Sequence, residues 1–425
     1  MPVPLGYRCS LCGAEYTLDQ VVYTCPKCGD RGNLDVILDY AAIKRQASPI
    51  SIGTWRDPSL WRYLPLLPVA DPGALGTPLR AAGGTPLYRA DRLAAELSLK
   101  HVYLKDDGRN PTASFKDRAS AIVVARALEL GVQTVTTASS GNAAAALAGM
   151  AASVGLPTVI FVPHTAPAAK VAQLLMFGAK VFLVQGTYDD AFDLTLQAAR
   201  EFGWYCRNTG YNPFTAEGKK TAAFEIAEQF TQISNFQSSI SQWRVPDWVF
   251  VSVGDGNIIS GIHKGFKDLL ALGWIERLPR IVGVQAAGSP AVYEAWARGD
   301  EDIRMCPAET IADSISVGLP RDGVRAVRAA RETGGFYLTV SDDEILDAMR
   351  ALARRAAVFA EPAAATAYAG LVKAARDGRI RADESVVVMI TGNGLKDVRS
   401  ALQAAGEATP VAPSLAALKE KLSQV

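Results

Sequence analysis

Lys116 lies in the run Asn110-Pro111-Thr112-Ala113-Ser114-Phe115-Lys116-Asp117-Arg118. Residues 101–107 upstream read as a strand, and the Ala/Leu/Val-rich residues 117–130 downstream read as a helix. The lysine therefore falls where a loop enters a helix. The positive end of the helix dipole lies beside it and favours the uncharged amine. That is the form that attacks an aldehyde to give a Schiff base. A single lysine on a first helical turn is ordinarily a solvated side chain. Here three further strand-to-helix turns carry groups suited to a flat, phosphorylated ligand.

The first is Thr137-Ala138-Ser139-Ser140-Gly141-Asn142, between a strand at 133–137 and a helix at 143–154. Its small residues let backbone and amide groups approach a ring or an anion. The second is Gly254-Asp255-Gly256-Asn257, between a strand at 249–253 and a helix at 258–270, where free backbone N–H groups can cradle a phosphate. Asp255 would repel a phosphate unless it points outward or caps the following helix, and the capping role is expected. The third is Thr391-Gly392-Asn393-Gly394-Leu395-Lys396-Asp397, a glycine turn between the strand 386–390 and a helix. It presents a hydroxyl at the carboxyl end of a strand, where open α/β sheets bind ligands.

These segments, together with Asn212-Pro213-Phe214-Thr215-Ala216-Glu217-Gly218-Lys219-Lys220-Thr221, resemble the fold type II (tryptophan synthase β-like) family of pyridoxal-phosphate enzymes. The threonine synthase-like branch is the most similar, over residues 83–404. The resemblance implies that Lys116 is the catalytic lysine and holds pyridoxal 5'-phosphate. Asn142 would bind the cofactor's ring hydroxyl, Gly254, Asp255, Gly256 and Asn257 its phosphate, and Thr391 would face its pyridine nitrogen. A hydroxyl there leaves the ring a milder electron sink than a carboxylate would, which suits elimination and replacement at Cβ or Cγ. Ser114, Ser139, Ser140, Thr215 and Lys219 are the expected substrate contacts.

For the threonine synthase reaction, the resemblance implies a carbon–oxygen lyase acting on O-phosphohomoserine. Lys116 would take the Cα proton, phosphate would leave Cγ and water would add at Cβ. Three positions where the family commonly carries phosphate donors are Ala143, Gly210 and Thr215 here. Lys219, Lys220 and Arg109 are the candidates to replace them. The alternative activity is elimination or β-replacement on a hydroxy or β-substituted amino acid, as in threonine/serine dehydratases or cysteate synthase.

Cys9, Cys12, Cys25 and Cys28 form C-x2-C-x12-C-x2-C, with glycine after each pair, which reads as a closed structural zinc ribbon. Paired disulfides and a rubredoxin-type iron centre are the alternatives. The ribbon would staple about 35 residues that are too few to form a core. It has no basic stripe for nucleic acid, since Arg8, Lys27 and Arg31 face Glu15, Asp19 and Asp30. Cys206 and Cys306 read as small hydrophobes. His101, His164 and His263 sit in no metal- or triad-like constellation and read as structural.

The elements that must position these residues follow from the chain as a whole. Its 425 residues, 49% hydrophobic and 20% charged with net charge +1, suit a soluble enzyme of several domains. They give no electrostatic push toward nucleic acid or membrane. No apolar run approaches the roughly 20 residues of a membrane span. The N-terminus carries no evident leader, so a cytoplasmic protein is expected. The expected organisation is a zinc-ribbon module at 1–40, a proline-rich connector at 41–82 and a larger cofactor-binding domain at 83–112 and 206–405. A smaller domain at 113–205 and a C-terminal helix within 406–425 complete it. A short helix is expected from Thr54 to Tyr63 and another over 408–425. Strands at 158–162 and 180–184 alternate with helices at 166–177 and 188–202, which predicts parallel sheets covered by helices. Asp117 and Arg118 should cap and pair on their helix. By the resemblance, the larger domain would pair in a homodimer, and the partner molecule would be a small amino-acid substrate.

Overall fold

The computed structural model describes residues 4–139, 141–166, 168–233 and 241–423. Three sheets organise the described residues. A small antiparallel sheet contains β1 (Gly6–Cys9), β2 (Glu15–Tyr16) and β3 (Leu34–Ile37) in the order β2-β1-β3. It carries the four cysteines of the ribbon motif on and beside its strands.

The second sheet has six strands. In chain order they are β4 (Leu87–Arg89) and β5 (His101–Asp106), then, after an excursion of the chain, β10 (Trp248–Ser252), β11 (Arg280–Ala286), β12 (Tyr337–Val340) and β13 (Ser385–Ile390). Their spatial order is β12-β11-β10-β13-β5-β4. All neighbours run parallel except β4, which closes the edge antiparallel to β5. The excursion forms the third sheet: β6 (Val135–Ala138), β7 (Thr158–Pro163), β8 (Lys180–Val184) and β9 (Tyr205–Cys206), all parallel in the order β8-β7-β6-β9.

The central strands of the large sheet are apolar throughout. Val249, Phe250, Val251, Val387, Val388 and Met389 are all fully buried, as expected for parallel strands covered on both faces. Helix Pro362–Arg376 packs on this sheet so closely that a Cβ at Gly370 would stand 2.4 Å from Val284 Cγ2. Alanine and glycine dominate its inner face because nothing larger fits at that separation.

Two expected helices differ from those observed. The stretch 54–63 is not one helix: helix Pro49–Thr54 ends at Trp55, and a 3-10 turn starts only at Leu60. Pro58 lacks an N–H and biases Asp57 toward extended backbone, so the first helix cannot run on. Ser59 then caps the new turn at Trp61 N. At the C-terminus the helix spans only Leu415–Leu422, because Pro410 and Pro413 keep 408–413 irregular and Ser414 caps the start. Among the described residues, no helix is long and apolar enough to cross a membrane.

Candidate active site

The carboxyl ends of the two parallel sheets face a common cavity of about 550 Å³. Its lining includes Lys116, Ser139, Asn142, Lys219, Gly254, Asp255, Gly256, Asn257 and Thr391, so residues from five distant segments converge. Lys116 opens helix Lys116–Glu129. Its loop is fixed to that of Thr391 by backbone hydrogen bonds, from Phe115 N to the Thr391 carbonyl at 2.9 Å and from Asn393 N to the Ala113 carbonyl at 3.1 Å. Ala113, at φ +63°, makes the turn that brings the lysine round. Burial, with the positive charge of Arg207 added, lowers the Lys116 pKa to about 8, against the pull of Asp255 and Glu361.

Asn142 starts helix Asn142–Ala152, and its Nδ2 donates to Glu361 Oε1 at 2.7 Å. Glu361 is itself in the cavity wall, and burial raises its pKa to about 7. Sequence reading missed this carboxyl; the Glu-Pro step before helix Pro362–Arg376 is its only local signal.

The glycine turn after β10 is a cradle that side chains cannot enter. A Cβ at Gly254 would lie 2.8 Å from Ile315 Cα, and one at Gly256, where φ is +88°, 2.7 Å from the Asp322 carbonyl oxygen. Helix Asn257–Leu272 follows, with its first N–H groups open toward the cavity. Its N-cap is Gly256, without a side-chain cap, so Asp255 does not cap the helix as expected. Its carboxylate instead accepts from Arg321 N at 3.3 Å, and burial raises its pKa. A weaker carboxylate charge suits a place beside an anion.

Three further basic side chains accompany Lys116. Lys219 is fully buried and donates from Nζ to Asn257 Oδ1 at 2.5 Å. Burial, then the charges of Lys116 and Arg207, hold its pKa well below the ordinary lysine range. Arg207 leaves the end of β9 fully buried and bonds Thr209 Oγ1 at 2.6 Å. Arg321 reaches the cavity from the loop before helix Gly323–Thr333 and pairs with Asp189 at 2.8 Å. Neither arginine was foreseen, since both come from loops joined to the site only by the fold. Gly210 makes room for the second one: its φ is +73° and a Cβ there would stand 2.7 Å from Arg321 Cβ.

The other expected replacements lie elsewhere. Lys220 pairs with Glu217 at 2.6 Å and Asp268 at 2.9 Å in the core, and Arg109 is exposed. Ser114 and Thr215 do not line the cavity. The Ser114 hydroxyl is buried without a hydrogen-bond partner, while that of Thr215 donates to the Asn212 carbonyl at 2.8 Å. Ser140 lies outside the described residues. The expected Asp117–Arg118 pairing is not formed. Asp117 accepts from Thr112 N at 2.6 Å, and Arg118 turns into the core toward Asp107 and Glu225.

Away from the cavity, the sulfur atoms of Cys9, Cys12, Cys25 and Cys28 all lie within 4.8 Å of one another, a group able to hold a metal ion. All six cysteines are free in the structure. His263 is buried, 3.4 Å from Glu332, and burial lowers its pKa to about 4.

The model of the pyridoxal-phosphate dependent enzyme family matches residues 79–392. The chain is 41% identical over 420 residues to the threonine synthase of Methanocaldococcus jannaschii, covering 98% of this chain and 99% of that one. It is also 41% identical to the threonine synthase of Methanosarcina acetivorans, with 98% of each chain covered. Among solved structures it resembles threonine deaminase isoform 2 from Solanum lycopersicum, with a TM-score of 0.64 at 22% identity over 81% of this chain and 92% of that one. A likeness at that identity speaks for the fold alone. The lysine at a helix mouth, the glycine cradle and the near full-length match converge on one conclusion: the chain belongs to the pyridoxal-phosphate-dependent enzymes, in their threonine synthase branch.

Proposed function

We propose that this protein is a threonine synthase, releasing phosphate from O-phospho-L-homoserine and adding water to give L-threonine. The observation that carries this reading is the gathering of basic side chains in one cavity beyond those that the cofactor would engage. Lys116 serves the cofactor's aldehyde and the glycine cradle its phosphate, yet Arg207, Lys219 and Arg321 also line the wall. Buried like charges repel, and a second anion relieves that repulsion. Arginine's planar fork is well matched to phosphate.

Pyridoxal phosphate, when bound, supplies an electron sink that stabilises negative charge at the substrate's Cα. The chain's own groups do the rest. Lys116 Nζ would hold the cofactor, and its free amine would take the Cα proton of the bound substrate. Asn142, its amide fixed by Glu361, would hold the cofactor's ring. Thr391 would offer it a hydroxyl, and Ser139 and the N–H groups near Asn142 suit the substrate carboxylate. The lowered pKa of Lys116 has a direct consequence. Its amine is uncharged above about pH 8, so the rate of cofactor capture by apoprotein should climb through that pH and then level off. A rate flat from pH 6 to 9 would count against an unpaired Lys116 as nucleophile. At the cradle, Gly256→Ala should weaken pyridoxal phosphate binding about tenfold or more, since both φ and space forbid the methyl. Equilibrium titration checks this, and unchanged affinity would move the phosphate elsewhere.

We also infer Zn(II) at the four cysteines. The Cys12 and Cys25 sulfurs stand 3.8 Å apart, close to the edge of a tetrahedron with metal–sulfur bonds of about 2.3 Å. Four thiolates close the site, so its role is structural. A cytoplasmic homodimer completes the reading, supported by the family resemblance.

The test is a turnover assay of holoenzyme on O-phosphohomoserine, threonine, serine and O-acetylserine. Threonine and phosphate in equal amounts from the first is the expected result. A 2-oxo acid or a replacement product from another substrate, without phosphate release, would overturn it in favour of the elimination or β-replacement activity.

A further inference from the structure

The ribbon does not stand apart from the cavity. Strand β3 buries Leu34 and Val36 in the main core and turns Asp35 the other way. Asp35 Oδ1 accepts from Arg325 Nη1 at 2.6 Å. The same guanidinium donates to both oxygens of Asp322, at 2.6 and 2.7 Å. Asp322 is fully buried, and its Oδ2 accepts from Asn257 Nδ2 at 2.7 Å. Asp322 N also donates to the Asp255 carbonyl at 2.9 Å. A continuous chain of charged hydrogen bonds thus leads from the ribbon to the turn that forms the cradle. Each side-chain link is short and carries charge at one end at least, which makes it among the stronger kinds of hydrogen bond.

The cysteine cluster fixes the first link. Cys9 is paired with Leu34, next to Asp35 in the β1–β3 register, and Cys25 N donates to the Gly32 carbonyl at 2.9 Å. A second arm reaches the opposite wall. Tyr23 Oη accepts from Cys206 N at 2.9 Å, its ring stacks on Tyr211 at 4.6 Å, and Asn33 Nδ2 donates to the Gly210 carbonyl. These contacts brace the segment that carries Arg207.

We propose that the metal-binding ribbon is a positioning device for the cofactor's phosphate cradle, with Asp35 as the positioning residue acting through Arg325 and Asp322 on Asn257. This rests on the reading that Gly254–Asn257 hold the phosphate. The exposed face of the ribbon plays no part in it: there Arg8 and Glu15 pair with each other at 2.6 Å.

The test uses full-length protein and two probes that share the aldehyde but differ in the phosphate, pyridoxal phosphate and pyridoxal. Asp35→Asn should raise the dissociation constant of pyridoxal phosphate at least threefold and leave that of pyridoxal unchanged, with the metal content of the ribbon retained. Asp35→Glu should recover most of the loss, and Glu15→Gln on the exposed face should change neither constant. Stripping the metal with a chelator should produce the same phosphate-selective loss. Unchanged constants in Asp35→Asn, or equal losses for both probes, would overturn the proposal, since a merely structural defect weakens both alike. A wild-type protein that binds both probes equally well would overturn the cradle reading itself.

Discussion

The Lys116→Ala protein, purified with excess pyridoxal phosphate, will lack the visible absorbance of a lysine-linked cofactor, and its turnover will fall by about 10³-fold or more. Two roles vanish together, since the same amine anchors the aldehyde and moves the Cα proton. The fold should survive, because Lys116 makes no ion pair among the described residues and sits at a helix start facing the cavity. Lys219→Met is the informative contrast. It removes the other cavity lysine, which already bonds Asn257 at 2.5 Å, so linked-cofactor absorbance should persist while phosphate affinity drops. Absorbance spectra of the two variants side by side settle the assignment. Absorbance retained in Lys116→Ala and lost in Lys219→Met would reverse the roles.

The second large effect is on stability. Arg118→Leu should destabilise the protein by about 3–5 kcal/mol, the range for breaking a buried ion pair from one side. Arg118 is fully buried, 2.6 Å from Asp107 Oδ2 and 2.5 Å from Glu225 Oε1, and Lys105 Nζ lies 2.6 Å from Glu225 Oε2. Two cations balance two carboxylates; without Arg118, one negative charge is left uncompensated in the core. The pH dependence follows. Burial alone would raise the Glu225 pKa, but Arg118 and Lys105 outweigh it and lower the pKa to about 2. A depressed carboxylate contributes stability above its unfolded pKa of about 4.3 and loses it as pH falls through the folded value. In Arg118→Leu the Glu225 pKa rises, so acid unfolding should begin at higher pH. Urea titrations across pH 3–8 measure both effects. A loss below about 1 kcal/mol with an unchanged acid limb would mean the cluster relaxes around the gap.

Much of this site was legible before the fold was known, because its chemistry sits on local signals. The three glycine turns each follow a strand of mainly β-branched and apolar residues, and strand 180–184 and helix 188–202 fall where periodicity predicts them. What escaped was tertiary. Arg207, Arg321 and Glu361 enter the cavity from loops whose local sequence says nothing of a ligand. Arg118 follows Asp117 on one helix, yet consecutive residues on a helix point about 100° apart, so they serve different networks. Ser114 and Thr215 sit inside family motifs but do not line the cavity, since a motif fixes the turn and not the target of every side chain. The Asp35–Arg325–Asp322–Asn257 path spans most of the chain, and no local pattern could announce it.

The measurement that bears most directly on the central claim is reduction of holoenzyme with borohydride, followed by peptide mass spectrometry. Reduction makes the lysine–cofactor bond permanent and marks its position. A pyridoxyl mass on the peptide containing Lys116 is the predicted result. The same mass on Lys219, or on no cavity lysine at all, would contradict the account.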